Sequence, residues 1–284
     1  MNICLIPVFQ RPEYLQECLT NICKADNYQN ISFVFCLDYG FSSQNLYIIK
    51  QSGIEHYFII KTDKTNFKLS KQTYNVLNGL IKVSEQKEVD LIYYIEDDIF
   101  ISRDFFTFAE DIFKQQPDVF TWCGTRSDNL PVQTTDNKNA YYLTDKADFQ
   151  THGNCYNSKL FNKYMKEHFT GNYFNNPIVY CKQFLPSKVV GEPFVEQDGL
   201  IRRVIEKNNL LIAYGHVPRC QHSGIYGYNR QAEIMHKSFN EKLKFIQEVC
   251  YDAEKMKQYD RYNDSQPCNM NMSHDEVELI PINN

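Results

Sequence analysis

The chain has 284 residues, with 35 acidic against 30 basic side chains and a formal net charge of −5. Its 43% hydrophobic and 14% aromatic residues supply ample apolar material for a core, which excludes a largely disordered chain. Eleven glycines and ten prolines exclude a collagen-like or low-complexity chain. The negative net charge gives no general attraction for nucleic acid or anionic lipid, so either contact would need a local basic patch.

The ten cysteines and the first residues of the chain favour a cytoplasmic protein. No Cys-x-x-Cys pair occurs, and Cys4, Cys36 and Cys123 lie inside apolar runs, as buried free thiols do in a reducing compartment. Residues 1–7 lack the features of a secretory signal. The longest apolar runs are far shorter than the about 20 residues that span a bilayer, so we expect no membrane span.

The first half of the chain alternates predicted strands and helices. The predicted strands are residues 2–9, 31–37, 56–61, 90–95 and 118–123. The predicted helices begin at Pro12, cover about 44–52 and 69–85, and run from an N-cap at Ser102 to just before Pro117. This order predicts an α/β fold with a parallel sheet and helices on both faces, in which ligands lie beyond the carboxyl ends of the strands.

The second half has a less regular pattern, and no linker divides it from the first. We predict a loop over 125–140, helices over 157–168, 196–207 and 237–258, irregular structure over 169–194, and a strand over 210–214. From about residue 264 the chain becomes polar, and a loosely attached tail is expected. The predicted divisions are therefore residues 1–124, 125–263 and 264–284.

Acidic residues follow two of the predicted strands, namely Asp38 and the triplet Glu96-Asp97-Asp98. Adjacent carboxylates repel one another at a buried sheet edge unless a positive charge neutralises them. Mg²⁺ and Mn²⁺ prefer carboxylate oxygens and share their shell with phosphate, so the triplet predicts a metal site with Asp98 as a ligand. Strand alternation places Glu96 and Asp98 on one side and Asp97 on the other. The alternative is a solvated acidic turn that caps the next helix.

His222 is the candidate for a third protein ligand. It follows a strand, and Gly224 and Gly227 beside it allow close backbone approach. His152 and His216 compete for the role, and an ordinary surface or core histidine is the alternative for each.

The triplet also carries a family resemblance. A hydrophobic strand that runs into Glu96-Asp97-Asp98, followed by Asp104-Phe105-Phe106, resembles the metal-motif region of GT-A glycosyltransferases, and most closely the N-acetylglucosaminyltransferase I family. Other segments resemble that family in the same order, in patches between residues 3 and 246. They are residues 3–12 as the first nucleotide-contacting strand and loop, Asp38 as the uracil or ribose ligand, 193–198 as the catalytic-base segment, and 220–228 with 242–246 as the closing loop and following helix.

The resemblance implies a GT-A fold, a Rossmann-like, mixed and mostly parallel sheet flanked by helices, with an irregular acceptor-side half. Residues 1–124 would then bind the nucleotide sugar, 125–263 would supply the acceptor side and the base, and 264–284 would be a polar tail. The implied reaction is an inverting, metal-dependent transfer of a sugar from a nucleotide diphosphate sugar, UDP-linked, to an acceptor hydroxyl. The implied cofactor is Mn²⁺ or Mg²⁺.

The resemblance also implies roles for individual residues. Asp198 is the first choice for the base and Glu196 the second, because Gln197 splits the acidic pair of the family; an ordinary acidic first turn of a helix is the alternative. Asp98 and His222 are the metal ligands. The expected contacts to the nucleotide sugar are Pro7, Arg11, Asp38, Lys71, Glu96 and Asp97. The expected acceptor contacts are Tyr226 and Tyr228, with Tyr173 and Phe174 as further candidates for an apolar platform or for packing.

Three other functions remain open from the sequence. A nucleotidyltransferase would use a similar sheet and metal, although no Gly-rich phosphate loop is present. A non-catalytic carbohydrate-binding protein could keep the same fold. The third is a glycosyltransferase of the phage type that acts on a hydroxylated DNA base rather than on a glycan or a small molecule. Such an enzyme would contact DNA phosphates through a patch of four arginines, which are Arg202, Arg203, Arg219 and Arg230.

Overall fold

The computed structural model of the protein describes residues 1–125, 139–145, 149, 151–222 and 279–281. Its strands are β1 (Asn2–Val8), β2 (Ile31–Leu37), β3 (Tyr57–Lys61), β4 (Leu91–Tyr94), β5 (Ile99–Ile101), β6 (Thr121–Cys123), β7 (Ala140–Thr144), β8 (Asn154–Asn157), β9 (Ile212–Gly215), β10 (Cys220–His222) and β11 (Leu279–Pro281). Its α-helices are α1 (Pro12–Ile22), α2 (Ser43–Gln51), α3 (Lys71–Ser84), α4 (Phe105–Gln115), α5 (Ser158–Met165), α6 (Gly171–Asn175), α7 (Pro177–Phe184) and α8 (Gln197–Asn208).

Nine of the described strands form one sheet, in the order β11-β7-β9-β6-β8-β4-β1-β2-β3. Strands β3, β2, β1 and β4 are mutually parallel. Strands β8 and β7 run against the rest of this sheet. Strands β5 and β10 form a separate antiparallel ribbon. The fold is thus the predicted mixed α/β class, with a mostly parallel sheet flanked by helices.

Two apolar layers cover the two faces of the sheet. Helices α3, α5 and α8 bury their apolar sides on one face, and α1, α2 and α4 bury theirs on the other. On α1 the buried apolar residues have the helical spacing read from the sequence. They include the four predicted positions Leu15, Cys18, Leu19 and Ile22, and Tyr14 is buried as well. Burial on both faces explains why the inner strands β1, β2 and β4 are nearly continuous apolar runs.

Helix α3 packs closely against β1 and β2 at Gly79. A Cβ on Gly79 would lie 2.8 Å from Leu5 Cδ1 and nearer still to Cys36 Sγ, so no side chain fits there without a shift. The helix begins after Ser70, whose hydroxyl accepts a hydrogen bond from the Thr73 amide at 3.2 Å. This packing brings the first turn of α3 close to the carboxyl ends of the parallel strands.

The start of α4 differs from the sequence prediction. Residues 99–101 form β5, a strand that the sequence analysis missed, and α4 begins at Phe105 with Asp104 rather than Ser102 at the N-cap position. Ser102 instead continues the ribbon, since its amide donates to Arg219 O at 2.7 Å. A pairing partner more than a hundred residues away therefore overrides the local capping signal.

Other predictions for the second half are corrected or fall outside the description. Residues 169–194 contain α6 and α7 rather than irregular structure. Residues 279–281 pair with β7, so this part of the C-terminal segment belongs to the sheet rather than to a loose tail. The helix expected over 237–258 and most of the loop expected over 125–140 lie outside the described residues. Within the described ranges, no helix has both the length and the apolar character that a membrane crossing needs.

Candidate active site

Several of the candidate side chains lie where the parallel strands end. Arg11 follows β1, Asp38 follows β2, and the acidic triplet follows β4; these strands are parallel neighbours. Their carboxyl ends therefore meet at one edge of the sheet, as the sequence predicts. Arg11 and the triplet are in direct contact there.

Arg11 holds two carboxylates of the triplet. Its Nη1 donates to Asp98 Oδ2 at 2.7 Å, and its Nη2 donates to Asp97 Oδ1. The side chains of Asp97 and Asp98 are only 5% and 4% exposed, and the guanidinium lies 5.1 Å from the centre of the Tyr14 ring. The predicted alternation is wrong, because β4 ends at Tyr94 and the two aspartates lie in a turn, both on the Arg11 side. Glu96 instead accepts a hydrogen bond from the Tyr94 hydroxyl at 2.6 Å.

The triplet carries more acid than one guanidinium balances. Burial raises the pKa of Asp97 to about 7, although Arg11 acts in the opposite direction. Burial also raises the pKa of Glu96 to about 7, and the charges of Asp98 and Asp198 contribute in the same direction. Burial therefore favours the protonated forms of these two carboxyls. A divalent cation would displace such protons, so the electrostatics favour cation binding here.

The donor-side candidates surround the end of β2. Asp38 is buried, and its Oδ1 accepts a hydrogen bond from the Tyr39 amide at 2.7 Å. Burial raises the pKa of Asp38, and the Tyr39 amide and Lys71 oppose this rise. Lys71 Nζ lies 5.7 Å from the centre of the Tyr39 ring. Pro7 is a half-buried residue of β1 that pairs with Cys36 of β2, four residues before Arg11.

Two exposed aromatic residues at this edge were missed by the sequence analysis. Phe9 follows β1 directly, and Tyr39 comes two residues after β2. Both are exposed, and a Cβ on Gly40 would lie 3.9 Å from the Phe9 ring, so the two loops are close together. An aromatic residue just past the end of a buried parallel strand is the sequence signal that could have identified them.

The two candidates for the base have different surroundings. Glu196 Oε2 accepts hydrogen bonds from Ser70 Oγ at 2.5 Å and from Thr73 Oγ1. Asp198 Oδ1 accepts a hydrogen bond from the Gly199 amide at 2.8 Å. Asp198 also borders a hollow of about 100 Å³ whose other lining residues are partly apolar. They include Val189, Val190, Phe194 and Arg202.

The three histidine candidates have different positions in the fold. In the β5–β10 ribbon the backbone of His222 pairs with Ile99, the residue that follows Asp98. The side chain of His222 lies outside the described part of the structure, so its role as a ligand stays a prediction. His216 is fully buried, with Nδ1 3.1 Å from the Tyr142 hydroxyl. The carbonyl of His152 accepts a hydrogen bond from Cys220 Sγ at 3.2 Å, close to the same ribbon.

The carboxylates at the end of β4 suit a cation that is shared with a substrate. No group of three or more His, Cys, Asp and Glu residues that could hold a metal ion occurs within the described ranges. Asp97 and Asp98 nevertheless offer paired carboxylate oxygens at the sheet edge. Mg²⁺ and Mn²⁺ typically take one or two protein carboxylates and complete their shell with water and substrate phosphate. The residues therefore fit such a cation and not a closed structural metal site.

Several predicted contacts are corrected by burial. Tyr173 and Phe174 belong to the apolar core and form no surface platform. Arg203 is buried and donates to backbone carbonyls, including Leu185 O at 2.9 Å. Arg219 is buried against Asp104 and Phe108, so these two arginines cannot form the predicted patch for DNA phosphates. Tyr226, Tyr228 and Arg230 lie outside the described residues.

The chain matches no known family model and no curated protein. Solved structures similar to it include the mannosyltransferase PcManGT from Pyrobaculum calidifontis in complex with GDP-Man and Mn²⁺, at 11% identity and a TM-score of 0.44, with 76% of this chain and 56% of that chain covered. They also include S. aureus TarS 1-349 in complex with UDP-GlcNAc, at 14% identity and a TM-score of 0.47, with 90% and 69% covered. A third is the galactosyltransferase LgtC in complex with donor and acceptor sugar analogues, at 14% identity and a TM-score of 0.45, with 75% and 73% covered. At these identities and TM-scores, the similarities assign neither a substrate nor a site residue to this chain.

Proposed function

We propose that the protein is a glycosyltransferase that moves a sugar, with inversion, from a UDP-linked sugar to an acceptor hydroxyl with the help of a divalent cation. The observation that carries the proposal is the meeting of Arg11, Asp97 and Asp98 at the carboxyl edge of the sheet, next to Glu96, whose pKa the charge of Asp198 raises. Arg11 and the two aspartates suit the binding of a diphosphate and its cation, and the separate carboxylate of Asp198 suits the removal of a proton from an acceptor hydroxyl.

The donor nucleotide would lie across the ends of β1 and β2. The Asp38 carboxylate can accept a hydrogen bond from a ribose hydroxyl or from the uracil N–H. The exposed rings of Phe9 and Tyr39 offer flat faces for the base. Lys71, on the first turn of α3 beside Tyr39, offers a positive charge that would attract the diphosphate. Pro7 lies under this edge, within β1.

The diphosphate leaving group would lie at the acidic triplet. Asp98, with Asp97 and His222, would hold Mn²⁺ or Mg²⁺, and such a cation would supply positive charge to offset the charge that the leaving diphosphate gains. The Arg11 guanidinium can form paired hydrogen bonds to phosphate oxygens, the geometry that it now uses for two carboxylates. Glu96 accepts a hydrogen bond from the Tyr94 hydroxyl and adds negative charge beside Asp97.

The acceptor would approach from the hollow that Asp198 borders. Its hydroxyl oxygen forms a bond to the anomeric carbon of the sugar while the bond from that carbon to the diphosphate oxygen breaks. Asp198 takes the hydroxyl proton as general base. The exposed ring of Phe194, in the same hollow, suits one face of a sugar. Tyr226 and Tyr228 remain proposed acceptor contacts, and the acceptor class is a glycan or a small molecule.

A screen of donors tests this proposal directly. The protein would be incubated with UDP-, GDP- and CMP-sugars, with Mn²⁺ and with excess chelator, and release of free nucleotide would be measured. We expect turnover of a UDP-sugar that requires the metal and is abolished in Asp98→Asn with the fold intact by circular dichroism. The proposal is wrong if no sugar nucleotide is bound or turned over, or if turnover persists in chelator.

A further inference from the structure

The first turns of α3 and α8 are joined by side-chain hydrogen bonds. Ser70 Oγ donates to Glu196 Oε2 at 2.5 Å, and Thr73 Oγ1 donates to the same oxygen. Gln197 Oε1 lies 2.6 Å from Thr73 Oγ1. Ser70, Thr73, Glu196 and Gln197 thus form a helix clasp between two segments that are more than 120 residues apart in the sequence.

The clasp occupies the carboxylate of Glu196. Ser70 Oγ and Thr73 Oγ1 both lie within hydrogen-bond distance of Glu196 Oε2. Each hydroxyl has one hydrogen, which it can donate to this oxygen or to a second acceptor, Thr73 Oγ1 for Ser70 and Gln197 Oε1 for Thr73. The carboxylate also lies at the N-terminus of α3, where the helix dipole favours an anion. Among the described residues, Asp198 borders the hollow proposed for the acceptor, and Glu196 is not part of its lining.

The clasp also connects the two sides of the proposed site. Lys71, beside Tyr39 on the donor side, lies on the same turn of α3 as Ser70 and Thr73. Asp198 lies two residues after Glu196, on the first turn of α8. A fixed contact between these turns therefore fixes the distance from the donor contacts to Asp198.

The start of α8 is also held from its other side. The Tyr173 hydroxyl donates to Val195 O at 2.5 Å. A Cβ on Gly199 would clash with Phe194 O, so the first turn of α8 lies directly on the preceding backbone. With these contacts in place, loss of the clasp is expected to tilt Asp198 rather than to unfold the segment.

We infer that Glu196 is a positioning residue and not the base: through Ser70 and Thr73 it holds the first turn of α8 so that Asp198 faces the reacting hydroxyl. The inference rests on the proposed function, since it divides the roles of two carboxylates within that reaction. Displacement of a reacting group by about 1 Å costs about 100-fold in rate, so the clasp has a measurable effect on turnover.

Two substitutions of Glu196 separate the roles. Glu196→Gln keeps an oxygen that accepts the two hydroxyl hydrogen bonds but removes the charge that a base needs, and Glu196→Ala removes both. We expect kcat to fall by no more than about tenfold in Glu196→Gln and by about 100-fold in Glu196→Ala, with a much smaller change in the donor KM. The acid limb of the pH–kcat profile should persist in Glu196→Gln, because Asp198 still takes the proton.

Changes on α3 provide the matched comparison. Ser70→Ala combined with Thr73→Val removes both hydroxyls and should lower kcat as Glu196→Ala does. Glu192→Gln, at an exposed residue paired with Lys182 outside the clasp, is the control and should be as active as the unchanged protein. The inference is overturned if Glu196→Gln loses as much kcat as Asp198→Asn, or if the Ser70/Thr73 variant is fully active.

A stability measurement separates this inference from the proposed function. Urea unfolding of Ser70→Ala, Glu196→Ala and the double variant forms a double-mutant cycle. If the clasp is present, the change in the unfolding constant of the double variant should differ about fivefold from the product of the two single changes. This difference corresponds to a coupling free energy of about 1 kcal/mol. Turnover without this coupling overturns the clasp alone. Coupling without any sugar transfer overturns the proposed function and, with it, the positioning role.

Discussion

Replacement of Arg11 with Met should destabilise the protein by leaving two buried carboxylates without their guanidinium. Met keeps an unbranched stem beside Tyr14 and removes the donors to Asp97 and Asp98. Breaking a buried ion pair by removing one partner costs about 3–5 kcal/mol. Arg11 is itself 23% exposed, and Asp97 has a pKa of about 7, so a proton can compensate in part. We therefore expect a loss near the lower end, about 3 kcal/mol at pH 7.5.

Manganese should restore much of this loss. A divalent cation at the same carboxylates supplies the missing charge, and a ligand at 100 times its Kd stabilises the folded state by about 2.7 kcal/mol. The free energy of unfolding would be measured in urea with and without Mn²⁺, and Mn²⁺ binding would be measured without nucleotide by calorimetry. We expect tighter binding in Arg11→Met than in the unchanged protein, where the guanidinium competes for the carboxylates.

Arg103→Met is the matched control. Arg103 pairs with Asp26 at 2.8 Å on the exposed surface, where an ion pair contributes little to stability. We expect almost no change in stability and no change in the response to Mn²⁺. The reasoning is refuted if Arg11→Met is no less stable than Arg103→Met, or if it responds to Mn²⁺ no more than the unchanged protein does.

Three further predictions concern the acceptor side, the pH dependence and the packing of α3. Phe194→Ala should raise the KM for the acceptor by about tenfold and leave the donor KM unchanged in initial-rate assays, because the exposed ring supplies only a stacking face; an unchanged acceptor KM would contradict this. Burial lowers the pKa of His168 from its usual 6.5, against an opposing effect of Glu167, so the folded protein takes up this proton less readily than the unfolded chain does. Stability from this group is present above pH 6.5 and lost as pH falls, so urea unfolding from pH 7.5 to 5.5 should show a steeper decline in the unchanged protein than in His168→Asn. Gly79→Ala should cost about 1–3 kcal/mol in thermal unfolding, and a variant as stable as the original would contradict the close packing of α3 on Leu5.

The first half of the fold could be predicted because its signals are local. Parallel strands buried on both faces are continuous apolar runs, as in β1, β2 and β4, and α1 and α3 show helical apolar spacing. That Asp38 and the triplet lie at one edge of the sheet follows from parallel strands alone, whereas the ion pairs of Arg11 with Asp97 and Asp98 were not predicted. For these elements the sequence and the structure agree.

The parts that could not be predicted depend on distant partners. Strands β5 and β10 have three residues each and form only because they pair with each other across more than a hundred residues. The prediction that Asp97 and Asp98 lie on opposite sides of the strand was wrong, because β4 ends at Tyr94, before the carboxylates. Arg11 binds both aspartates on one side. The bond from Ser70 to Glu196 spans 126 residues, so no local pattern could divide the roles of Glu196 and Asp198.

The decisive measurement is the binding of Mn²⁺ and a UDP-sugar, titrated together by calorimetry and followed by electron paramagnetic resonance, in the unchanged protein and in Asp98→Asn. We expect one Mn²⁺ to bind with the sugar nucleotide, and the affinity to fall by about 100-fold in Asp98→Asn with the fold retained. Equal binding by both proteins, or no binding by either, would contradict a cation held at the end of β4 to receive a diphosphate.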